Sequence, residues 1–375
     1  MRRVLAATLI TRAAVFAAGL VAIATIGHAP NMGPPPPSEL AYLPARWDAS
    51  WYIGVANGGY RWEGPGHHNS RLAFFPAFPM TLRAVARVLR LPPREPPWLW
   101  TGVILSTAIF FLALLYLRKL AALWFGDVEA DRAVLVAAAY PFALFFGQVY
   151  SEGLFLLAAV ASTYHLARAQ AGRATAWGLI AGLTRPIGCL VSFVLAGAFV
   201  AARRSGKPPR AVSALIAIAS PCLGTLAYSA YVRWLTGHWF TWITDQAGWG
   251  RPTVNPITLV GEIAAYVRDH GAIGYLADRP FEAINLAALV AALLFVVPIA
   301  RRVNVGAALF VLLSVAAPLR VGGLASMGRY TAVLFPIYLW LGTALKGRTA
   351  AIVIGVFAVL QLLLAAMFFT DRSVY

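Results

Sequence analysis

The chain has 375 residues, of which 60% are hydrophobic and 12% charged, with a formal net charge of +17. So few charges cannot cover the surface of a soluble body of this length, and no long polar linker divides the chain, so one all-α, polytopic membrane domain over residues 1–375 is expected. In a soluble protein the basic excess would point to nucleic acid; here many basic residues lie in short loops between apolar runs, where they set orientation and meet anionic headgroups. Membrane lipids, and no nucleic acid, are therefore the expected contacts.

The apolar runs predict about nine to eleven spans: 4–27, 98–118, 133–148, 150–168, 174–185, 186–202, 211–235, 281–300, 303–318, 330–345 and 349–369. The lower count arises because 174–185 is too short to cross upright. Met1-Arg2-Arg3 and the long apolar run behind it read as an uncleaved first span rather than a signal peptide. With the N-terminus in the cytoplasm, the inner loops hold 15 basic and three acidic residues, the outer ones 15 and 11, and Arg12 lies inside the first span. All three lysines, Lys119, Lys207 and Lys346, then fall inside, as the positive-inside rule requires. Two long segments, 28–97 and 236–280, face outward. Long segments inside a compact body are functional or disordered, and these are rich in Trp, His, Asp and Arg.

The first outward segment opens with Pro34-Pro35-Pro36-Pro37, a stiff extended spacer. Arg46-Trp47-Asp48-Ala49-Ser50-Trp51-Tyr52 follows, then the turn signal Asn57-Gly58-Gly59-Tyr60. Ala73-Phe74-Phe75-Pro76-Ala77-Phe78-Pro79 leads into a helix. There Arg83, Arg87, Arg90 and Arg94 recur at helical spacing, opposite Leu82, Val85, Val88 and Leu89. That pattern predicts a helix lying in the membrane interface, its basic side toward headgroups. The alternative is a true span ending near Arg90, at the cost of a charged stripe in lipid.

Asp48 lies in an aromatic patch, where burial against Trp47, Trp51 and Tyr52 would raise its pKa and suit it to take a proton from a hydroxyl. The competing readings are an ion pair with Arg46 or an N-cap on a helix at 49–57. Glu152 is either a functional acid facing a cavity or a first-turn charge favoured by the helix dipole. Arg185, Arg320 and Arg329 on one face suit a phosphate held at the membrane surface, against snorkelling to headgroups for each. His67 and His68 lack the further ligands a metal needs and read as a solvated pair able to reach an acceptor. In the second outward segment, His238 to Trp242, with Asp245 and Trp249, forms an aromatic-polar patch whose default role is interfacial. Cys189 and Cys222 lie in apolar segments and read as small buried packing residues. No phosphate-cradling Gly loop, dinucleotide fingerprint or zinc-protease motif occurs, which removes ATP motors and soluble nucleotide donors.

The first outward segment resembles the PIG-V-type mannosyltransferases. The resemblance rests on Trp47-Asp48, Tyr52, Asn57-Gly58-Gly59-Tyr60 and the Ala73-Phe74-Phe75-Pro76 run. It extends to 141–152, ending Tyr150-Ser151-Glu152, and to Thr184-Arg185-Pro186-Ile187-Gly188. Beyond residue 210 only hydropathy and Gly328-Arg329-Tyr330 match. The resemblance implies a GT-C type glycosyltransferase using a polyprenyl-phosphate sugar, with Asp48 as general base, Glu152 and Arg185 in the site, and Arg329 at the donor phosphate. The Ala- and Arg-rich composition suggests a bacterial, actinobacterial, member. The short length and Arg46 before Trp47 depart from the eukaryotic pattern and leave the acceptor open.

The expected activity is inverting transfer of mannose from polyprenyl-phosphate-mannose to a lipid-linked or cell-envelope glycan acceptor, on the extracytoplasmic face of the cell membrane. Asp48 is the expected catalytic residue. Arg46, Trp47, Tyr52, His67, His68, Glu152, Arg185, Arg320 and Arg329 are the expected substrate contacts. No cofactor is called for, because arginines can stabilise the leaving phosphate, and a divalent metal is left open. The alternative is a flippase of a polyprenyl-linked sugar, which would need ionisable residues at mid-depth and repeated broken helices. A third reading, a structural subunit of an envelope complex, would make Asp48 and Arg329 freely replaceable.

Overall fold

The computed structural model describes residues 1–30, 36–62, 64, 71–92, 94–204, 206, 209–246 and 253–372. Part of the proline spacer, His67, His68, Lys207 and Trp249 lie outside the described residues. Among the described residues the protein is helical throughout, with one isolated bridge between Thr253 and Val321.

Among the described residues, six helices are long and apolar enough to cross a bilayer: Arg2–Ile26, Glu95–Phe125, Pro186–Arg204, Ala211–Thr236, Pro280–Arg302 and Gly347–Phe369. A seventh span arises if Asp127–Ala139 and Pro141–Gly147, bent at 80°, are taken together. The remaining stretches expected to span resolve into shorter pieces. Glu152–Ala167 and Val305–Arg320 are apolar helices of 16 residues each, Ala171–Gly182 has 12, and the stretch 330–345 divides between Met327–Ala332 and Phe335–Ala344. Glu152–Ala167 is buried on every side. It is the axial helix of the bundle, and its even apolar composition follows from having no lipid-facing side.

Ala171–Gly182 crosses Ala211–Thr236 at very close range. A Cβ at Gly182 would fall on the Pro221 carbonyl, and one at Gly224 on the Leu179 carbonyl. Gly178 and Gly182, four residues apart, provide the small-residue face that lets two helix backbones touch in lipid.

Among the described residues, the two long segments 28–97 and 236–280 are largely helical. The first holds Glu39–Tyr42, Ala49–Gly58, a 3-10 turn at Arg71–Ala73 and Ala77–Val88; the second holds Thr241–Thr244 and Pro256–Asp278. Ala77–Val88 is the expected amphipathic helix. It buries Phe78, Leu82 and Ala86 and exposes Arg87, while Val88 and Leu89 are exposed rather than turned inward. Arg83 departs from the expected headgroup-facing row. Its guanidinium donates to the carbonyls of Ala56 and Asn57, ending helix Ala49–Gly58, so its charge is spent on backbone. Cys189 is half-buried but Cys222 is exposed on the flank of its helix, and both are free thiols.

The bend at 139–141 is set by sequence: Tyr140 precedes Pro141, and the proline ring pushes Tyr140 into an extended conformation (φ −51°, ψ 137°). The break frees carbonyls inside the bundle, where they must find donors. Gln361 Nε2 donates to Ala138 O at 3.2 Å and Tyr140 O at 2.7 Å. Arg12, buried within the first helix, donates to the carbonyls of Ala143 and Leu144, and to Gln361 Oε1 at 3.4 Å. The intramembrane arginine is thus a cap on a broken helix.

Removing either cap leaves buried carbonyls unmet, at about 1–3 kcal/mol per orphaned group. Arg12→Leu and Gln361→Leu are each expected to lower the midpoint of thermal unfolding in detergent, with Arg12→Lys losing less. An unchanged midpoint in both leucine variants would contradict the capping role.

Candidate active site

Four separate chain breaks meet at one end of the bundle. Asp48 occupies the N-cap position of helix Ala49–Gly58, but its side chain makes no capping bond. Nor does it pair with Arg46. Its Oδ2 is 2.6 Å from Arg329 Nη1, across 281 residues of sequence. Glu152 is the first residue of the axial helix, Arg185 lies in the extended break before Pro186, and Arg329 sits in the short helix Met327–Ala332. Glu152 Oε1 is 2.6 Å from Arg185 Nη1 and 2.8 Å from Arg329 Nε. The order is therefore Asp48, Arg329, Glu152, Arg185: two carboxylates and two guanidiniums, neutral as a set.

The burial of this chain is graded. The Glu152 side chain is 0% exposed, Arg185 5%, Arg329 7% and Asp48 20%. Glu152 thus reads as more than a first-turn dipole charge: it is the buried anchor of two cations. Only Asp48 opens substantially to the cavity. Burial by itself pulls the Arg329 pKa down, but Glu152 and then Asp48 more than offset this, and it stands well above the ordinary arginine value. Arg329 is a permanent cation. Its guanidinium lies over the rings of Tyr150 at 5.2 Å and Phe145 at 5.8 Å, and Arg185 lies 5.2 Å from the Tyr330 ring.

The backbone on either side of the Asp48–Arg329 pair is held in unusual conformations. Trp47 has φ 54° and Ser326 has φ 62°, left-handed values that a bulky or hydroxylated residue rarely adopts. Such strain, of order 1–3 kcal/mol per residue, persists where surrounding contacts enforce it. For Trp47 those contacts are visible. Its Nε1 donates to Phe368 O at 3.3 Å, and the Asp48 backbone N–H donates to the Tyr150 hydroxyl at 3.0 Å.

The cavity in front of the ion chain measures about 290 Å³. Asp48, Arg185 and Arg329 line its charged side; Phe74, Phe75 and Tyr330 form its walls. Tyr52 also lines it, bonding to Ser151 Oγ at 2.9 Å and packing on Phe74 and Phe78. Burial, then the nearby Glu152 carboxylate, pushes the Tyr52 phenol well up, so it remains a neutral hydroxyl. The second oxygen of Asp48 has no hydrogen-bond partner among the described residues. A second, mostly apolar cavity of about 250 Å³ adjoins the first through Pro186, Gln246 and Tyr330, and is lined further by Ile187, Leu190 and Trp242.

Of the residues singled out from sequence, Asp48, Tyr52, Arg185 and Arg329 line the cavity, and Glu152 backs it. Arg46 lies elsewhere. Its side chain is 4% exposed and pairs with Glu39 at 3.4 Å and Asp371 at 3.5 Å, while its Nε donates to Phe369 O at 3.0 Å. His28 bridges the same two carboxylates at 2.8 and 2.7 Å. Arg46 and Trp47 therefore latch the chain before Asp48 to the end of the last helix. Arg320 is exposed and lines neither cavity. Trp242 departs from the expected interfacial role: it is buried against Phe75 and donates to Ser229 Oγ at 3.0 Å. Gln246, on both cavities, carries no signal in sequence. Among the described residues no three of His, Cys, Asp and Glu converge to hold a metal.

Residues 40–204 match the family model described as mannosyltransferase (PIG-V). That region carries Asp48, Tyr52, Glu152 and Arg185, and the match supports a membrane glycosyltransferase. No curated protein matches the sequence. Among solved structures, the chain is similar to the Archaeoglobus fulgidus oligosaccharyltransferase, determined with zinc and sulfate. The TM-score is 0.41 and the identity 14%, over 96% of this chain and 53% of that one. The chain thus spans about half the length of that protein.

Breaking a buried ion pair by removing one partner costs about 3–5 kcal/mol. Glu152→Ala, which strands Arg185 and leaves Arg329 with Asp48 alone, is expected to fall in that range by thermal unfolding in detergent. Asp48→Ala, at the wetter end of the chain, is expected to cost less; the reverse order would contradict the graded burial.

Proposed function

We propose that the protein transfers mannose from polyprenyl-phosphate-mannose to a lipid-linked or cell-envelope glycan acceptor. One observation carries the reading: a carboxylate with one oxygen held by Arg329 and the other without a hydrogen-bond partner among the described residues lines a polar cavity that also holds Arg185 and adjoins an apolar groove. The family match over 40–204 supports the sugar chemistry.

In this reading the sugar and its phosphate occupy the polar cavity and the first isoprenoid units lie along the groove past Pro186 and Tyr330. The acceptor hydroxyl approaches Asp48 and attacks the anomeric carbon opposite the phosphate. The C–O bond to the phosphate breaks as the new glycosidic bond forms, with inversion, and the hydroxyl proton passes to Asp48. The leaving group is already an anion, so it needs charge stabilisation more than protonation. Arg185 supplies it, with Arg329 holding the Asp48 carboxylate in place. The guanidiniums are positioned before substrate arrives, because Glu152 fixes both from behind.

The reaction takes place on the extracytoplasmic face of the cell membrane, a side supported by the distribution of basic loop residues. A flippase would need a charged path at mid-depth. Arg12, the ionisable residue within the first span, is instead committed to carbonyls of the broken helix.

Asp48→Ala and Asp48→Asn are expected to lower transfer from labelled polyprenyl-phosphate-mannose by about a thousandfold, the middle of the range that general-base catalysis supplies. Insertion into membranes should be retained. Wild-type rates in purified Asp48→Ala would end the base assignment.

A further inference from the structure

Helix Ala49–Gly58 has a second working face. Asp48 and Tyr52 belong to the cavity described above, whereas Ser50, Gly54 and Asn57 line a separate one of about 320 Å³. Among the described residues, three arginines, Arg61, Arg71 and Arg94, share this cavity with one acid, Glu95. Among the described residues neither Arg61 nor Arg94 makes an ion pair. The transfer reaction uses none of these groups.

The seat of Arg71 is built into the helix. Its Nη1 donates to Gly54 O at 3.0 Å and Gly59 O at 3.3 Å. A Cβ at Gly58 would lie 2.9 Å from that nitrogen, and one at Gly54 would lie 3.4 Å from the guanidinium carbon. Two glycines four residues apart thus let a guanidinium lie flat on the helix, its position fixed by backbone carbonyls rather than by an acid. Two further guanidiniums flank it. Such a fork of donors matches the oxygens of a phosphate ester.

The cavity also sits where lipid headgroups are. Its floor includes Trp98, in the first turns of the span Glu95–Phe125, and indoles concentrate at that level of a bilayer. The preceding chain carries Val88, 81% exposed, and Leu89, 58% exposed, large apolar side chains with lipid as their natural surroundings. We propose that this basic cavity binds the phosphate of an anionic membrane lipid, on the face of helix Ala49–Gly58 opposite the reactive one.

The full-length protein, purified in neutral detergent, is titrated with phosphatidylglycerol or phosphatidylcholine, and bound lipid is counted by native mass spectrometry. Preferential retention of phosphatidylglycerol is expected. The Arg61→Gln/Arg94→Gln variant should bind it about thirtyfold more weakly, from roughly fivefold per arginine at a membrane surface. Arg87→Gln/Arg90→Gln, exposed arginines outside the cavity, should bind as the wild type does. Glu95→Gln, which removes a carboxylate that lines the cavity, should tighten binding. Displacement by inorganic phosphate would assign recognition to the phosphate alone, and retention of the lipid in its presence to the headgroup with its chains. Equal retention of the two lipids, or equal weakening in both arginine pairs, would overturn the proposal. The readout involves no sugar transfer, so its failure leaves the proposed reaction untouched, and the converse holds.

Discussion

The site depends on one electrostatic constraint. Glu152, Arg185 and Arg329 are each less than a tenth exposed, and charges so withdrawn from water are tolerable only when paired. Glu152 satisfies this by sitting between two guanidiniums. Arg329 has a second partner in Asp48, the member nearest the cavity. The consequence reaches beyond the site: the segment that carries Asp48, the axial helix, the break before Pro186 and the helix Met327–Ala332 are held in register by the need to keep these charges together.

The same logic governs the backbone that delivers Tyr150 and Glu152. A chain that turns by 80° inside a membrane bundle exposes carbonyls that lipid cannot satisfy. Arg12 and Gln361, from the first and last helices, meet those carbonyls. The latch of Arg46 and Trp47 onto the end of the last helix performs a related task for Asp48. Strained φ values at Trp47 and Ser326 then become intelligible, since each lies within three residues of a member of the ion pair that the surrounding contacts hold in place.

The fold class was legible because hydropathy and charge follow the solvent, and a bilayer leaves a plain mark on both. The division of spans was less so. Residues 133–148 read as one apolar run, although Pro141 carried the signal for its break, and the short pieces at 171–182 and 327–344 owe their shape to packing within the bundle. Asp48, Glu152, Arg185 and Arg329 were visible as residue types at suitable depth, but their pairing was not, because contacts across 281 residues leave no local pattern. Arg46 shows the opposite limit. Its adjacency to Trp47-Asp48 suggested a place in the site, while burial against Glu39 and Asp371 gives it a structural one. Arg320 is near Arg329 in sequence, yet it is exposed at the end of its helix and lines neither the polar cavity nor the apolar one beside it.

The role proposed for the ion chain and its cavity is transfer from a lipid-linked donor rather than movement of that donor. The direct measurement uses the purified protein in proteoliposomes with isotopically labelled polyprenyl-phosphate-mannose and an envelope-lipid acceptor fraction, with product identity and anomeric configuration read by mass spectrometry and NMR. The account requires a labelled mannoside of configuration opposite to that of the donor, with release of polyprenyl phosphate. Donor that stays intact while crossing the bilayer, or a product that keeps the donor's configuration, would contradict it.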